Sequence, residues 1–193
     1  MRDVPLNRIA IDVGEVLQGS VASLYAHLVT RPTGRAVRMA IETQLQGAHA
    51  PSISLIDFSE VVILDFSCAD EVVAKLLQKY LHDDVKNAFF VFRGVHEPHR
   101  DQIEVVLERH GLAAVAETDP GTFELVGART TGEARVWALL EERGVVSVED
   151  VPELRDSAAD RAALASLSAR RLAFPSPDSG RVHALSRLVS HMM

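Results

Sequence analysis

The chain of 193 residues carries a formal net charge of −7, and 47% of its residues are hydrophobic. This length allows one large domain or two small ones, and the hydrophobic content is sufficient to build cores. No apolar run approaches the roughly 18 residues that a membrane span needs, and a single cysteine excludes an internal disulfide and a multi-cysteine zinc site. We therefore expect a cytoplasmic protein that does not enter a membrane.

Acidic residues outnumber basic ones along the whole chain. Residues 1–130 contain 12 Lys and Arg against 18 Asp and Glu, and residues 131–193 contain 8 against 9. Because an acidic chain does not attract phosphate backbones at long range, any binding to nucleic acid has to come from a local cluster of arginines.

The first elements alternate between strand and helix. The run RIAIDV alternates apolar and polar residues and predicts a strand. The segment TRPTGRAVRMAIETQLQG predicts an amphipathic helix, with Thr30 or Thr33 as its N-terminal cap and Gly47 as its end.

The segment IDFSEVVILDFSCADEVVAKLL continues this alternation. Two short apolar runs end at Asp57 and at Asp65, and a helical period starts at Ser67, which predicts Ser67 as the helix cap. A strand at NAFFVFRG, a helix at HRDQIEVVLERHG and a strand–turn–strand at LAAVAETDPGTFELVG follow. Strands separated by helices predict an α/β layer.

From Ala128 onward the composition shifts toward Ala, Arg and Glu, which predicts a boundary between domains of residues 1–127 and 128–193. Here GEARVWALLEERG predicts a helix, and SVEDVPEL predicts a short helix capped by Ser147. The stretch DSAADRAALASLSARRLAF predicts a longer helix capped by Asp156 or Ser157, and PSPDSGRVHALS predicts a turn between two short strands.

The segment IDFSEVVILDFSCADEVVAKLL resembles STAS domains, the family of bacterial anti-sigma-factor antagonists and related signalling modules, in its divergent STAS-like branch. The resemblance extends loosely over residues 8–127 and implies a mixed sheet with packed helices. It also implies a regulatory protein partner, such as a kinase-like anti-sigma factor.

Signalling members of the STAS family are phosphorylated on a serine in an Asp-Ser-Ser-Gly stretch. The sequence Asp65-Phe66-Ser67-Cys68 aligns with that stretch, with Phe66 in place of a serine and Cys68 in place of the glycine. The resemblance thus implies Ser67 as the phosphorylation site, and Asp65, Ser67 and Asp70 as a partner surface. A phosphate there would lie between the like charges of Asp65 and Asp70.

Residues 128–193 resemble the winged helix-turn-helix domains of bacterial transcription regulators, which are small α+β domains. In these domains the longer helix enters the major groove of DNA and the hairpin contacts the backbone. The resemblance implies DNA binding, and it allows a homodimer. The candidate DNA contacts are Arg155, Ser157, Arg161, Arg170, Arg171 and Arg181. Asp156 and Asp160 place negative charge at the start of the same helix, so a protein-binding or dimerisation element fits these residues nearly as well.

Residues with catalytic or metal-binding chemistry do not form a complete constellation. Cys68 could be a nucleophile, but a lone cysteine beside a helix is more typical of buried packing. His96 and His99 have a spacing that could hold a metal, yet two histidines in a loop are more typical of exposed residues. The glycines form no nucleotide-binding motif. We expect no enzymatic activity, no cofactor and no metal.

Two functions are left open by the sequence. The first is a transcription regulator, in which a STAS-like sensing or interaction domain controls a DNA-binding winged helix. The second is an adaptor in a partner-switching pathway, in which both domains bind proteins and neither touches DNA. The domain order supports the first, and the acidic balance supports the second.

Overall fold

The computed structural model describes residues 6–20, 27–48, 51–81, 87–190 and 192. The first part of the chain forms β1 (Asn7–Asp12), α1 (Val13–Ser20), β2 (His27–Leu28), α2 (Arg31–Leu45), β3 (Ser52–Asp57) and β4 (Ile63–Leu64). A continuous helix follows, made of α3 (Phe66–Ala69), a π-helical turn (Asp70–Ala74) and α4 (Lys75–Leu81). Then come β5 (Ala88–Arg93), α5 (Glu97–Arg109), β6 (Ala113–Asp119) and β7 (Thr122–Gly127).

The remaining elements are shorter. They are α6 (Thr131–Arg143), β8 (Val145–Ser147), α7 (Pro152–Asp156), α8 (Ala158–Ala169), β9 (Phe174–Pro175), β10 (Arg181–His183) and α9 (Leu185–Val189). None of the helices in the described ranges is long and apolar enough to cross a membrane.

Five strands form the main sheet, in the order β1-β3-β5-β6-β7. The first four are parallel to one another, and β7 pairs antiparallel with β6. Strands β2 and β4 form a separate parallel pair, and β8, β10 and β9 form a small antiparallel sheet. The predicted α/β class with a mixed sheet is therefore confirmed.

The central strands β3, β5 and β6 are buried on both faces of the main sheet. Successive side chains of a strand point to opposite sides, so each of these strands contributes to two clusters. In β5, Phe90 and Phe92 enter one hydrophobic cluster, while Phe89 and Val91 enter another. Strand β6 divides in the same way. Burial on both faces is the reason why these strands are continuous apolar runs in the sequence.

The second cluster joins the two halves of the chain. It contains Ile53 and Leu55 of β3 together with Trp137 of α6, Leu167 of α8 and Phe174 of β9. The rings of Phe89 and Phe174 lie 5.2 Å apart between centroids. The predicted domain boundary between residues 127 and 128 falls between β7 and α6. It stays a prediction. The regions on either side of it contribute to the same hydrophobic cluster.

The structure tests the predicted helix caps, and three of these predictions concern the starts of α2, α7 and α8. Thr30 caps α2, since its hydroxyl accepts a hydrogen bond from the Thr33 N–H at 3.3 Å. Ser157 caps α8 by accepting from the Asp160 N–H at 3.2 Å. The prediction for Ser147 is wrong, because this residue ends β8 and the short helix begins at Pro152.

Candidate functional site

The turn aligned with the STAS phosphorylation stretch lies where β4 passes into α3. Asp65, not Ser67, caps the helix there, since its Oδ1 accepts hydrogen bonds from the Cys68 N–H and from the Ser67 hydroxyl, both at 2.9 Å. The prediction of Ser67 as the cap is therefore wrong. Ser67 lies in the first turn with its hydroxyl held by the capping carboxylate.

Cys68 is fully buried under the start of α2. Its Sγ donates a hydrogen bond to the Thr30 carbonyl oxygen at 3.0 Å. Burial, and then the nearby Asp65 carboxylate, raise the pKa of the thiol to about 12. Helix α2 passes so close that a Cβ on Gly34 would lie 2.9 Å from the Cys68 Cα. This geometry supports a packing role for the cysteine.

We expect Cys68 to be nearly inert toward dithiobis(nitrobenzoate) in the native protein. A pKa raised from 9.0 to about 12 lowers the thiolate fraction at about pH 8 by a factor of several hundred, and burial slows attack further. Absorbance would follow release of the thionitrobenzoate anion with and without urea. A native rate within about tenfold of the urea-unfolded rate would contradict this assignment.

A network of charged side chains lies beside this turn. We call it the charge cluster, and it consists of Arg31, Arg38, Glu42, Asp70, Glu71, Lys75, Lys79 and His110. It connects α2, the helix over 66–81 and the end of α5.

The π-helical turn supplies the two buried acids of the charge cluster. Asp70 and Glu71 are neighbours in sequence, and both reach Nη1 of Arg31, at 2.6 Å and 3.0 Å. The side chain of Glu71 is only 3% exposed, whereas that of Arg31 is 48% exposed. Such widened turns in helices are frequently found at functional sites.

Further contacts complete the charge cluster. Glu71 is bound by Lys75 and lies 3.4 Å from Nη2 of Arg38. Glu42 accepts from Arg38 at 2.6 Å and from Lys79 at 2.7 Å. The cluster thus has a cationic partner for each of these carboxylates.

His110 ties the end of α5 to the charge cluster. Its Nε2 lies 2.7 Å from Oδ1 of Asp70, and its Nδ1 lies 3.2 Å from the amide of Gln78. Asp70 is therefore buried and faces inward. Asp65, Ser67 and Asp70 are the expected partner surface, but only Asp65 and Ser67 are partly exposed. The inclusion of Asp70 in that surface is therefore wrong, because its carboxylate is buried against Arg31 and His110.

The pKa values of both buried acids reflect these partners. Burial by itself raises the pKa of Asp70 and of Glu71. Hydrogen bonds from Arg31 and His110 to Asp70, and from Lys75 and Arg31 to Glu71, outweigh burial and hold both pKa values below the ordinary range. Both carboxylates are stabilised as anions, and their ion pairs fix three helices against each other.

Most of the charge cluster is absent from the sequence prediction. Arg38 and Glu42, like Glu71 and Lys75, are four residues apart on a helix, and this spacing is a signal for a pair. Nothing in the sequence points to the contact of His110 with Asp70, because 40 residues separate them.

Two of the candidate DNA contacts bind within the chain. Arg170 donates to Oε1 of Glu133 at 2.8 Å and to the carbonyl oxygen of Ala128 at 2.7 Å. Arg171 donates to the carbonyl oxygen of Ala88 at 3.2 Å. Both arginines hold the end of α8 against the rest of the protein, and their guanidinium groups are already engaged.

The other candidate DNA contacts lie at the surface. Arg155 and Arg161 meet between α7 and α8, where Nη1 of Arg161 donates to the Arg155 carbonyl oxygen at 2.5 Å. Ser157 caps α8 at the same corner, and Arg181 is exposed on β10. Two acids lower the net positive charge of this corner. Asp156 lies 3.1 Å from Nε of Arg155, and the buried Asp160 pairs with Arg135.

Comparisons with protein families, with curated proteins and with solved structures found no match to this chain. The STAS-like and winged-helix resemblances therefore stay predictions. Among the described residues, no group of three or more His, Cys, Asp or Glu side chains is placed to hold a metal ion, and His96 and His99 lie 6.2 Å apart between ring centroids.

Proposed function

We propose that this chain is a non-enzymatic bacterial regulator of transcription that acts in the cytoplasm. In this proposal a STAS-like region, residues 1–127, responds to a regulatory partner, and a winged helix, residues 128–193, binds DNA. The observation that carries the proposal is the order α6, β8, α7, α8, β9, β10, with the three strands in one antiparallel sheet. This order agrees with that of a winged helix, in which the hairpin of β9 and β10 would form the wing, and it therefore supports the proposal.

Contact with DNA would start at the corner between α7 and α8. Arg155, Arg161 and Arg181 supply exposed positive charge, and the helix N-terminus at Ser157 favours a phosphate. The exposed face of α8 consists largely of alanine, at positions 158, 159, 162, 165 and 169. Alanine can contact thymine methyl groups but makes no side-chain hydrogen bonds to bases. We therefore expect contacts with phosphates to dominate the affinity.

A route for regulation leads from the Ser67 turn to α8. Asp70 of the charge cluster binds His110, and Gly111, the next residue, accepts a hydrogen bond from Arg170 at 3.4 Å. Arg170 lies at the end of α8. A change in the helix over 66–81 would reach the DNA-binding element through these contacts, which supports the pairing of a sensing region with an effector region.

Fluorescence anisotropy with the DNA upstream of the protein's own gene and with a scrambled duplex tests the proposal. We expect tighter binding to the upstream DNA, weakened by salt. Replacing Arg155 and Arg181 together by alanine should weaken binding at least about tenfold. The same replacement should reduce the salt slope by about one for each phosphate that these arginines neutralise in the wild type.

The matched control for this experiment is Arg35→Ala, an exposed arginine on α2 in the other half of the chain. It should leave affinity unchanged. Arg161, Arg170 and Arg171 are unsuitable as test positions, because their replacement removes hydrogen bonds that hold α8 in place. Equal affinity of the double variant and the wild type would contradict the assigned contacts, and no binding to either duplex at low salt would contradict the function.

A second candidate function, the partner-switching adaptor, is favoured by an apolar surface beside Ser67. Val29, Val62 and Ile63 around the β2–β4 pair are exposed, and Val62 is 68% exposed. A phosphate on Ser67 would lie next to the Asp65 carboxylate that now holds the Ser67 hydroxyl, and repulsion would weaken the helix cap beside this surface. Absence of DNA binding together with binding of an anti-sigma kinase, abolished in Ser67→Asp, would favour the adaptor.

A further inference from the structure

The charge cluster buries its acids and exposes most of its cations. The side chains of Glu42, Asp70 and Glu71 are at most 12% exposed. Those of Arg31 and Lys79, in contrast, are 48% and 52% exposed. The outer side of the charge cluster is therefore basic, although the whole chain carries a net charge of −7.

Arg35 extends this basic side along α2. It lies one helical turn after Arg31, so the two side chains share a face of the helix. Arg35 is exposed and forms no ion pair with any residue that the structure describes. Together with Arg38, Lys75 and Lys79, these arginines make five cations for three buried carboxylates, an excess of two positive charges. We call Arg31, Arg35, Lys75 and Lys79 the cationic surface.

The cationic surface has donors left for a ligand. Asp70 and Glu71 both accept from Nη1 of Arg31, whereas Nε and Nη2 of this arginine donate to no described residue. The edge formed by Nε and Nη2 can hold a carboxylate through two parallel hydrogen bonds. Nζ of Lys79 donates to Glu42 at 2.7 Å, and an ammonium group has three N–H donors. An incoming anion therefore meets donors on side chains that are about half exposed.

The buried acids also hold these cations in position. Arg31 and Lys79 are fixed by their ion pairs before any ligand arrives, so they lose little rotamer freedom on binding. Ion pairs between two mobile surface side chains gain little, because ordering both of them costs entropy. The cationic surface is thus better suited to bind carboxylates than scattered surface lysines are.

Two features favour an acidic polypeptide over nucleic acid as the ligand. Met39, one turn after Arg35 on α2, is 53% exposed and offers an apolar contact beside the charges. A nucleic acid carries a charge on every phosphate, and the net charge of −7 repels such a polyanion. A short acidic segment carries fewer charges and meets less of this repulsion.

We propose that the cationic surface binds an acidic segment of a protein partner, whose Asp and Glu carboxylates contact Arg31, Arg35 and Lys79. The inference goes beyond DNA binding and does not depend on it, because α2 and the helix over 66–81 lie outside residues 128–193. It also gives the chemistry of a partner, which the sequence does not predict.

Titration of the isotope-labelled full chain with tetraglutamate, followed by ¹H–¹⁵N NMR, tests the proposal without DNA. The side-chain Nε–H signals of Arg31 and Arg35 should shift in a saturable manner, and added salt should weaken the binding. Tetraglutamine has the same length but no side-chain charge, and it should leave both signals in place at equal ionic strength.

Arg35→Glu should weaken binding of tetraglutamate at least about fivefold, because an attraction becomes a repulsion. Arg143→Glu makes the same change in net charge on α6, outside the cationic surface, and should bind as the wild type does. Equal binding by Arg35→Glu and the wild type, equal shifts with tetraglutamine, or no saturable shift would overturn the proposal. Displacement of tetraglutamate by duplex DNA would overturn it as well, since the cationic surface would then bind nucleic acid.

Discussion

Replacing Glu71 by alanine is expected to lower the free energy of unfolding by about 3 kcal/mol, since removal of one partner of a buried ion pair leaves its cations without compensation. Glu71 is the most buried acid of the charge cluster and binds Arg31, Arg38 and Lys75. In the variant, water can solvate the partly exposed side chains of Arg31 and Lys75. The expected loss of stability is therefore near the lower end of the range for broken buried ion pairs.

Urea unfolding followed by circular dichroism measures this loss. The matched control is Glu108→Ala, an exposed position on α5, which should change the free energy of unfolding by less than about 0.5 kcal/mol. If Glu71→Ala is as stable as this control, the charge cluster does not hold the three helices together. The double change of Glu71 and Arg38 should cost less than the two single changes added, since the partners are coupled.

Replacing Glu133 by glutamine is expected to destabilise the protein by roughly 3 kcal/mol near neutral pH and by almost nothing near pH 2. Glu133 closes a capping box with Thr130, and its Oε1 accepts hydrogen bonds from Ser166 and Arg170. Burial raises the pKa of this carboxyl group, but these donors outweigh burial and lower its pKa from 4.5 to about 2.

The sign of the pH dependence follows from that lowered pKa. The unfolded chain binds a proton at Glu133 near pH 4.5, whereas the folded protein binds it only near pH 2. The stabilisation from Glu133 is thus complete above about pH 4.5 and is lost as the pH falls toward about 2. Asp70 and Glu71 also have lowered pKa values, so the wild type loses their stabilisation over acidic pH as well.

Urea unfolding of the wild type and of Glu133→Gln at several pH values separates these contributions. The charge cluster is present in both proteins, so its effect cancels in the difference between them. That difference should shrink steadily below about pH 4.5. Glu142→Gln, exposed on the same helix, is the matched control. A difference that stays constant with pH would mean that Glu133 acts only through its shape.

The sequence predicts the α/β class because apolar runs of strand length alternate with amphipathic helices. It also limits the cap of α2 to Thr30 or Thr33 and that of α8 to Asp156 or Ser157, since a cap is decided by residues within one turn. The structure shows that Thr30 and Ser157 are the caps. At the start of α3 the prediction of Ser67 is wrong, because Asp65 is an equally good cap and the backbone places its carboxylate at the free N–H groups.

Contacts between distant residues could not be predicted. Strand β6 places Glu117 next to apolar neighbours, and its sequence gives no sign of the ion pair with Arg93 on the neighbouring strand. Arg170 looks like a surface arginine of a DNA-binding helix, but the fold brings Ala128 and Glu133 within its reach. Long side chains find such partners only when distant segments have packed, and a local pattern contains no information on that packing.

The shared core has a consequence for any attempt to separate the halves of the chain. One face of the main sheet carries Ile53, Leu55, Phe89 and Val91, and residues after 127 cover it. A fragment that stops at residue 127 would expose this apolar face to water. Such a fragment would be prone to self-association and would not represent the intact protein. Any partner that displaced the C-terminal elements would expose the same apolar face of the main sheet and make the protein prone to aggregation.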